Sequence, residues 1–168
     1  FAGNWADVMR YLMPVLSFMF GVAAATEIRQ HFQNIGRIHW RQIVILIEMS
    51  MLFLVGFLPG KMDLVANAFV SFSCAMQVQT FRKVDSYAFA STMCIGNIRS
   101  GMEALCAYRQ SHNRQILYKA FHYFGIIILF AFGAGIGSIL IPVFNLQTIW
   151  FSSFLLMVGF FLMFIQEK

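Results

Sequence analysis

Five apolar runs, each approaching the length of a membrane-crossing helix, leave this chain few alternatives. They cover residues 10–28, 42–58, 63–81, 120–141 and 147–165. A helix needs roughly 20 apolar residues to cross about 30 Å of hydrocarbon. Lipid offers the backbone no hydrogen-bond partner, so runs of this kind are forced into helices. Composition points the same way. Of 168 residues, 60% are hydrophobic and 11% charged, with mean hydropathy +0.71. A soluble domain carries roughly 25% charged residues. The expected fold class is all-α: a polytopic transmembrane helix bundle with five spans, forming a single integral membrane domain over 1–168.

Basic residues give the orientation. Loop 29–41 holds Arg29, Arg37 and Arg41; segment 82–119 holds Arg82, Lys83, Arg99, Arg109, Arg114 and Lys119; the tail adds Lys168. That places ten of the twelve Lys and Arg on one face, leaving Arg10 and Lys61 on the other. Cytoplasmic loops collect such charges, so both basic loops and the C-terminus are expected in the cytoplasm. This requires segment 82–118 to enter and leave on one side. The net charge of +5 is thus a membrane signature, and no nucleic-acid partner is expected. The sequence opens on Phe1 with no basic leader before the first run, which is expected for a piece lacking its N-terminus. Pro14 is expected in the first turn of its helix, and the stretch 142–146 is expected to turn the chain.

An internal repeat is visible. YLMPVLSFMFG from Tyr11 aligns with YFGIIILFAFG from Tyr123, matching Phe18 with Phe130, Phe20 with Phe132 and Gly21 with Gly133. Val55-Gly56-Phe57 likewise falls on Val158-Gly159-Phe160. Residues 1–60 would then be the remainder of a first repeat and 61–168 a second. An odd number of spans per repeat inverts one against the other. A 3+3 inverted repeat in the full-length protein is the architecture of many secondary transporters.

The polar residues inside the runs are the candidates for function. Glu48 interrupts IVILIEMSMLFLVGF. A carboxylate there is costly unless neutral, paired or wetted. It reads either as a proton or cation site or as a structural acid near the helix end. Asn67, Ser71 and Cys74 fall at helical spacing with Gln77 beside them, a polar stripe expected to face away from lipid. It lines a solute path or supplies interhelical hydrogen bonds. In the mixed segment, Thr92, Gly96, Arg99 and Glu103 recur at helical spacing opposite Phe89, Met93, Ile98 and Leu105, with Asp85-Ser86 as an N-cap. This is an amphipathic helix in the interface, or a re-entrant element broken at Gly96-Asn97. Gly133 and Gly137 form a GxxxG packing face, echoed by Gly21 and Ala25.

Other chemistries lack their residues. Gly133, Gly135 and Gly137 sit within an apolar run and follow no strand, so they are no phosphate loop. Four His and three Cys show no metal-ligand spacing. Neither a nucleophile elbow nor a nucleophile–base pair is apparent, so no cofactor, metal or enzymatic activity is expected.

The stretches NAFVSFSCAMQVQTFRKV and AFASTMCIGNIRSGMEAL, with the Phe-Gly run after them, resemble the YoaK-type family of bacterial membrane proteins, a domain of unknown function. Met76-Gln77 and Gly96-Asn97 match family positions; Ala75, Val78, Ile95 and Ile98 stand where Gly, Asn, Thr and Leu are usual. The resemblance implies about six spans in a full-length protein. It implies a bacterial cytoplasmic membrane location and no particular reaction. The functional expectation is a small transporter or permease with a site among Glu48, Asn67, Gln77, Thr92, Asn97 and Arg99. Its partners would be the bilayer and a small solute or proton, and a homo-oligomer is admitted. The alternative is a non-transporting structural or assembly protein held by its glycine faces.

Overall fold

The structure is a computed structural model and describes residues 5–33, 39–84, 87–88 and 94–166. It is all-α apart from one minimal antiparallel ladder. Helix α1 spans Trp5–Phe32, α2 Trp40–Val55 and α3 Asp63–Thr80. Two short strands follow, β1 (Lys83–Val84) against β2 (Tyr87–Ala88). Then come α4 (Cys94–Ser111), α5 (Arg114–Phe144) and α6 (Ile149–Gln166). Single 3-10 turns, Gly60–Met62 and Asn145–Thr148, precede α3 and α6. Each apolar run carries a helix. By length and composition, Asp7–Phe32 and Arg114–Met163 are long and apolar enough to cross a membrane.

Pro14 and Pro142 both fall inside helices, which corrects the expected boundaries. α1 begins five residues before residue 10, so Pro14 lies in its interior and leaves the Arg10 carbonyl without its helical donor. α5 likewise continues through Pro142, and the chain turns only at Asn145, whose φ is 50°. Asparagine tolerates that left-handed conformation better than other side-chain-bearing residues. Between α4 and α5, His112 adopts the same φ, and Asn113 caps α5 by accepting from the Gln115 N–H at 2.9 Å.

The chain forms two compact units, Phe1–Thr80 with Leu140–Lys168, and Phe81–Ile139. In the first, α1 and α3 run parallel. Gly21 lies on Phe72 and Ala75, and one turn further Thr26 meets Gln79. A Cβ on Gly21 would come 2.5 Å from the Phe72 carbonyl oxygen, so only glycine permits this approach. α2 runs against α6: the Trp150 indole donates to the Phe53 carbonyl at 3.1 Å and the Ser153 hydroxyl to the Met49 carbonyl at 3.4 Å. α2 buries a stripe of Trp40, Val44, Glu48, Leu52 and Val55, spaced by one helical turn, and its Trp40 and Val44 join Ala25 and Met76 in the core.

The second unit is built on α4 and the first part of α5. Asn97, Gly101 and Ala104 form the buried stripe of α4. Gly101 lets α4 approach Tyr123 and Phe124 of α5, where a Cβ would stand 3.2 Å from that of Tyr123. The expected apolar face was a different one. Ile98 is exposed and Leu105 only half-buried, because the small residues at 97, 101 and 104 let the helix come closer. α4 also runs unbroken through Gly96-Asn97, so the break required by the re-entrant alternative is absent. Asp85-Ser86, Phe89 and Met93 lie outside the described residues.

Candidate functional site

The most unusual group in the first unit is Glu48. It sits in the middle of α2 between Val44 and Leu52 on the buried stripe, and is 1% exposed. Its Oε1 has no hydrogen-bond partner among the described residues. Burying a polar oxygen unsatisfied costs about 1–3 kcal/mol, so its persistence in an apolar stripe calls for a role.

α3 supplies the facing polar groups. Its buried residues are Ala66, Ser73, Ala75, Met76 and Thr80. Ser73 is 3% exposed, and the hydroxyls of Ser73 and Thr80 are shielded without a partner among the described residues. Cys74, half-buried, lies within electrostatic reach of Glu48. α2 returns against α3, and Val44 and Met76 share the core. One turn along α2 and one turn back along α3 therefore bring Glu48 and Ser73 to the same level of the bundle. On the α1 side, Thr26 accepts from the Gln79 amide at 3.1 Å and donates to the Val22 carbonyl at 2.8 Å. These last groups are satisfied and hold the seam; the Glu48 oxygen and the two α3 hydroxyls are free to bind. A buried carboxylate with the Ser73 hydroxyl at its level suits a proton, a small cation or a hydrogen-bonding solute, whereas Thr80 lies two turns further along α3, near the level of Trp40. Among the described residues no group of three or more His, Cys, Asp or Glu converges to hold a metal.

At the end where α2 stops, a recess of about 1000 Å³ opens, lined by Gly56, Asp63, Phe144, Gln147 and Trp150 among others. Trp150 forms its wall, with ring contacts to Phe53 at 6.1 Å and Phe57 at 5.2 Å. A Cβ on Gly56 would overlap the Trp150 indole nitrogen. Gly56→Ala is therefore expected to cost about 1–3 kcal/mol by overpacking. In a Trp150→Phe background most of that loss should vanish. Unfolding midpoints of the two single variants and the double variant test this, and simple additivity would refute the contact.

The comparisons with known proteins bear on this geometry. The pattern of DUF1275, described as a protein of unknown function, matches residues 1–162. The chain belongs to the DUF1275 family. No curated protein and no solved structure matches it.

In this DUF1275 chain the residues singled out from sequence are scattered. Glu48 is buried, Gln77 half-buried and Asn67 exposed, all in the first unit. Asn97 is buried and Arg99 exposed in the second. Thr92 lies outside the described residues. The predicted stripe Asn67–Ser71–Cys74–Gln77 is not the inner face of α3: the buried positions are rotated from it, and Asn67 faces outward. Arg99 donates to Glu103 at 2.8 Å, the pair its spacing predicts, with both side chains exposed. That hydrogen bond first, and the carboxylate charge second, hold the Arg99 guanidinium above its ordinary value. Ala25 is fully buried and Gly21 lies in the α1–α3 seam, whereas Gly133 and Gly137 have nothing within 4 Å. Sequence reasoning missed Ser73, Thr80 and Trp150. The first two had a signal, since with Ala66 they repeat every seven residues along α3.

Proposed function

We propose that this DUF1275 chain is a multi-pass protein of the bacterial cytoplasmic membrane and a small secondary transporter or permease, with Glu48 carrying a proton or cation. Glu48 is the observation that carries this reading: a carboxylate 1% exposed, with an unpartnered oxygen inside a helix bundle. Intramembrane acids of that kind mark ion and solute paths.

Helix directions support the membrane topology. α1, α3 and α6 run one way and α2 the other. Because α3 and α6 are parallel, the chain between them makes one net crossing. The 31 residues of α5 are ample for it, as about 20 residues suffice. α4 then lies along the surface or returns on the same side, as an interfacial helix does. Arg29, Arg41, Arg82 and the other basic loop residues gather on one side, with the C-terminus, in the cytoplasm. Five spans and a 3+3 inverted repeat belong to the proposal. The repeat requires α2 and α6, matched at Val55-Gly56-Phe57 and Val158-Gly159-Phe160, to run in opposite directions, and their hydrogen bonds have that sense. The finer likeness to YoaK-type members, at Met76-Gln77 and Gly96-Asn97, is part of the same reading. Gln77 on α3 remains a candidate solute contact in the unit that holds Glu48, whereas Asn67, which faces outward, and Asn97 and Arg99, which belong to the other unit, are not assigned to that site. Neither an enzymatic activity nor a nucleic-acid partner enters this reading.

The test is proton uptake and solute flux in vesicles holding the protein, against Glu48→Gln. A proton flux that appears with one solute and disappears in the variant is the expected outcome. Folded protein that moves nothing across a broad solute panel would refute transport. A structural or assembly role is the second reading, favoured by Gly133 and Gly137, an uncovered small-residue face suited to a partner helix or a second copy.

A further inference from the structure

The corner where α1 ends and α2 begins holds a cluster that transport does not use. Cζ of Arg29 lies 5.7 Å from the centre of the Trp40 ring, and Cζ of Arg41 lies 5.6 Å from it. Trp40 is 8% exposed and belongs to the core with Ala25, Val44 and Met76, so the indole is a fixed platform. His39 stacks on it at 6.0 Å and accepts from the Arg41 backbone N–H at 3.3 Å. Neither arginine is paired with a carboxylate among the described residues, and the Arg41 Nε is shielded from solvent without a hydrogen-bond partner.

Two cations held over one ring repel each other, and the ring face satisfies none of their donors in the plane. A guanidinium presents five donors in a fork that matches phosphate oxygens. Deeper along the two helices exposed apolar side chains follow, Met19 on α1 about 15 Å from the level of Arg29 and Leu46 on α2 about 8 Å from that of Arg41. They offer acyl tails a surface that free phosphate would not need. We infer that Arg29, Trp40 and Arg41 form a binding site for the phosphate of an anionic phospholipid headgroup. The inference rests on membrane location and not on transport, so a failed flux assay leaves it standing.

The test uses the full chain in nanodiscs of phosphatidylcholine, with and without phosphatidylglycerol. It reads the thermal midpoint and, by native mass spectrometry, the lipid retained after extraction. Phosphatidylglycerol should raise the midpoint and be retained. Arg29→Gln and Arg41→Gln should each weaken retention about fivefold, as for the loss of one basic residue at an anionic surface. Arg10→Gln, at the other end of α1, should not. Unchanged retention in the Arg29→Gln/Arg41→Gln variant overturns the site. If that variant does not fold, Arg41→Lys decides: it keeps the charge but loses the fork, so undiminished retention overturns the site equally. A midpoint rise of the same size with inorganic phosphate in phosphatidylcholine alone would assign the site to free phosphate and overturn the lipid.

Discussion

Glu48→Leu should make the protein more stable and inactive at once. The substitution removes a buried oxygen that lacks a partner among the described residues and puts an apolar side chain of similar size on the stripe between Val44 and Leu52. Relief of an unsatisfied buried polar group is worth about 1–3 kcal/mol. A site maintained against its own stability is what a functional group looks like. The measurement is the unfolding midpoint in bilayers paired with the flux assay. A drop in stability would mean that Glu48 has bonding partners in the membrane and holds the helices together. A rise with flux retained would leave the acid without a transport role.

Gly21→Ala and Gly133→Ala should move stability in opposite directions, although both glycines open the same small-residue pattern. At Gly21 the added Cβ meets the Phe72 carbonyl oxygen at 2.5 Å and the Ala75 Cβ at 2.7 Å. Backbone cannot rotate away, so α1 has to withdraw along the seam. Overpacking of this kind costs about 1–3 kcal/mol. The withdrawal also strains the Thr26–Gln79 hydrogen bond one turn on. At Gly133 nothing lies within 4 Å. Alanine there gains the helix preference over glycine, roughly 0.5–1 kcal/mol. Unfolding midpoints in one lipid composition compare the two directly. A loss at Gly133 as large as that at Gly21 would mean that a partner covers the α5 face.

The contrast between those glycines marks what sequence reveals here. Helix existence was legible, because apolar runs of this length are too long for strands; all five runs and the mixed segment carry helices. Their limits were harder to read at the prolines. Pro14 and Pro142 read as boundaries by rules learned in water, yet both lie within helices. In each the helix continues at the loss of the hydrogen bond to the carbonyl four residues earlier, which the letters alone do not reveal. The direction in which each helix faces was not legible. Polar letters on α3 suggested Asn67, Ser71, Cys74 and Gln77, but the inner face is fixed by where Gly21 lets α1 touch, at Phe72 and Ala75. That contact turns Ser73 and Thr80 inward and Asn67 outward. Glu48 was legible because a lone carboxylate in an apolar run is conspicuous whatever its azimuth. Its burial added what letters lack, an oxygen left without a partner.

The helix directions of the first unit carry an electrical consequence. Three helices, α1, α3 and α6, point one way and only α2 opposes them, so their peptide dipoles do not cancel. With roughly half an elementary charge at each helix end, the surplus is about one negative charge where α1, α3 and α6 finish and one positive charge where they begin. The unit is thus permanently polarised along its length. A cation is favoured at the end where α1, α3 and α6 finish and an anion at the end where they begin, each effect fading within about one turn of the helix ends. Even with every side chain neutral, this arrangement of backbone would hold the two signs of charge unequally at its two ends.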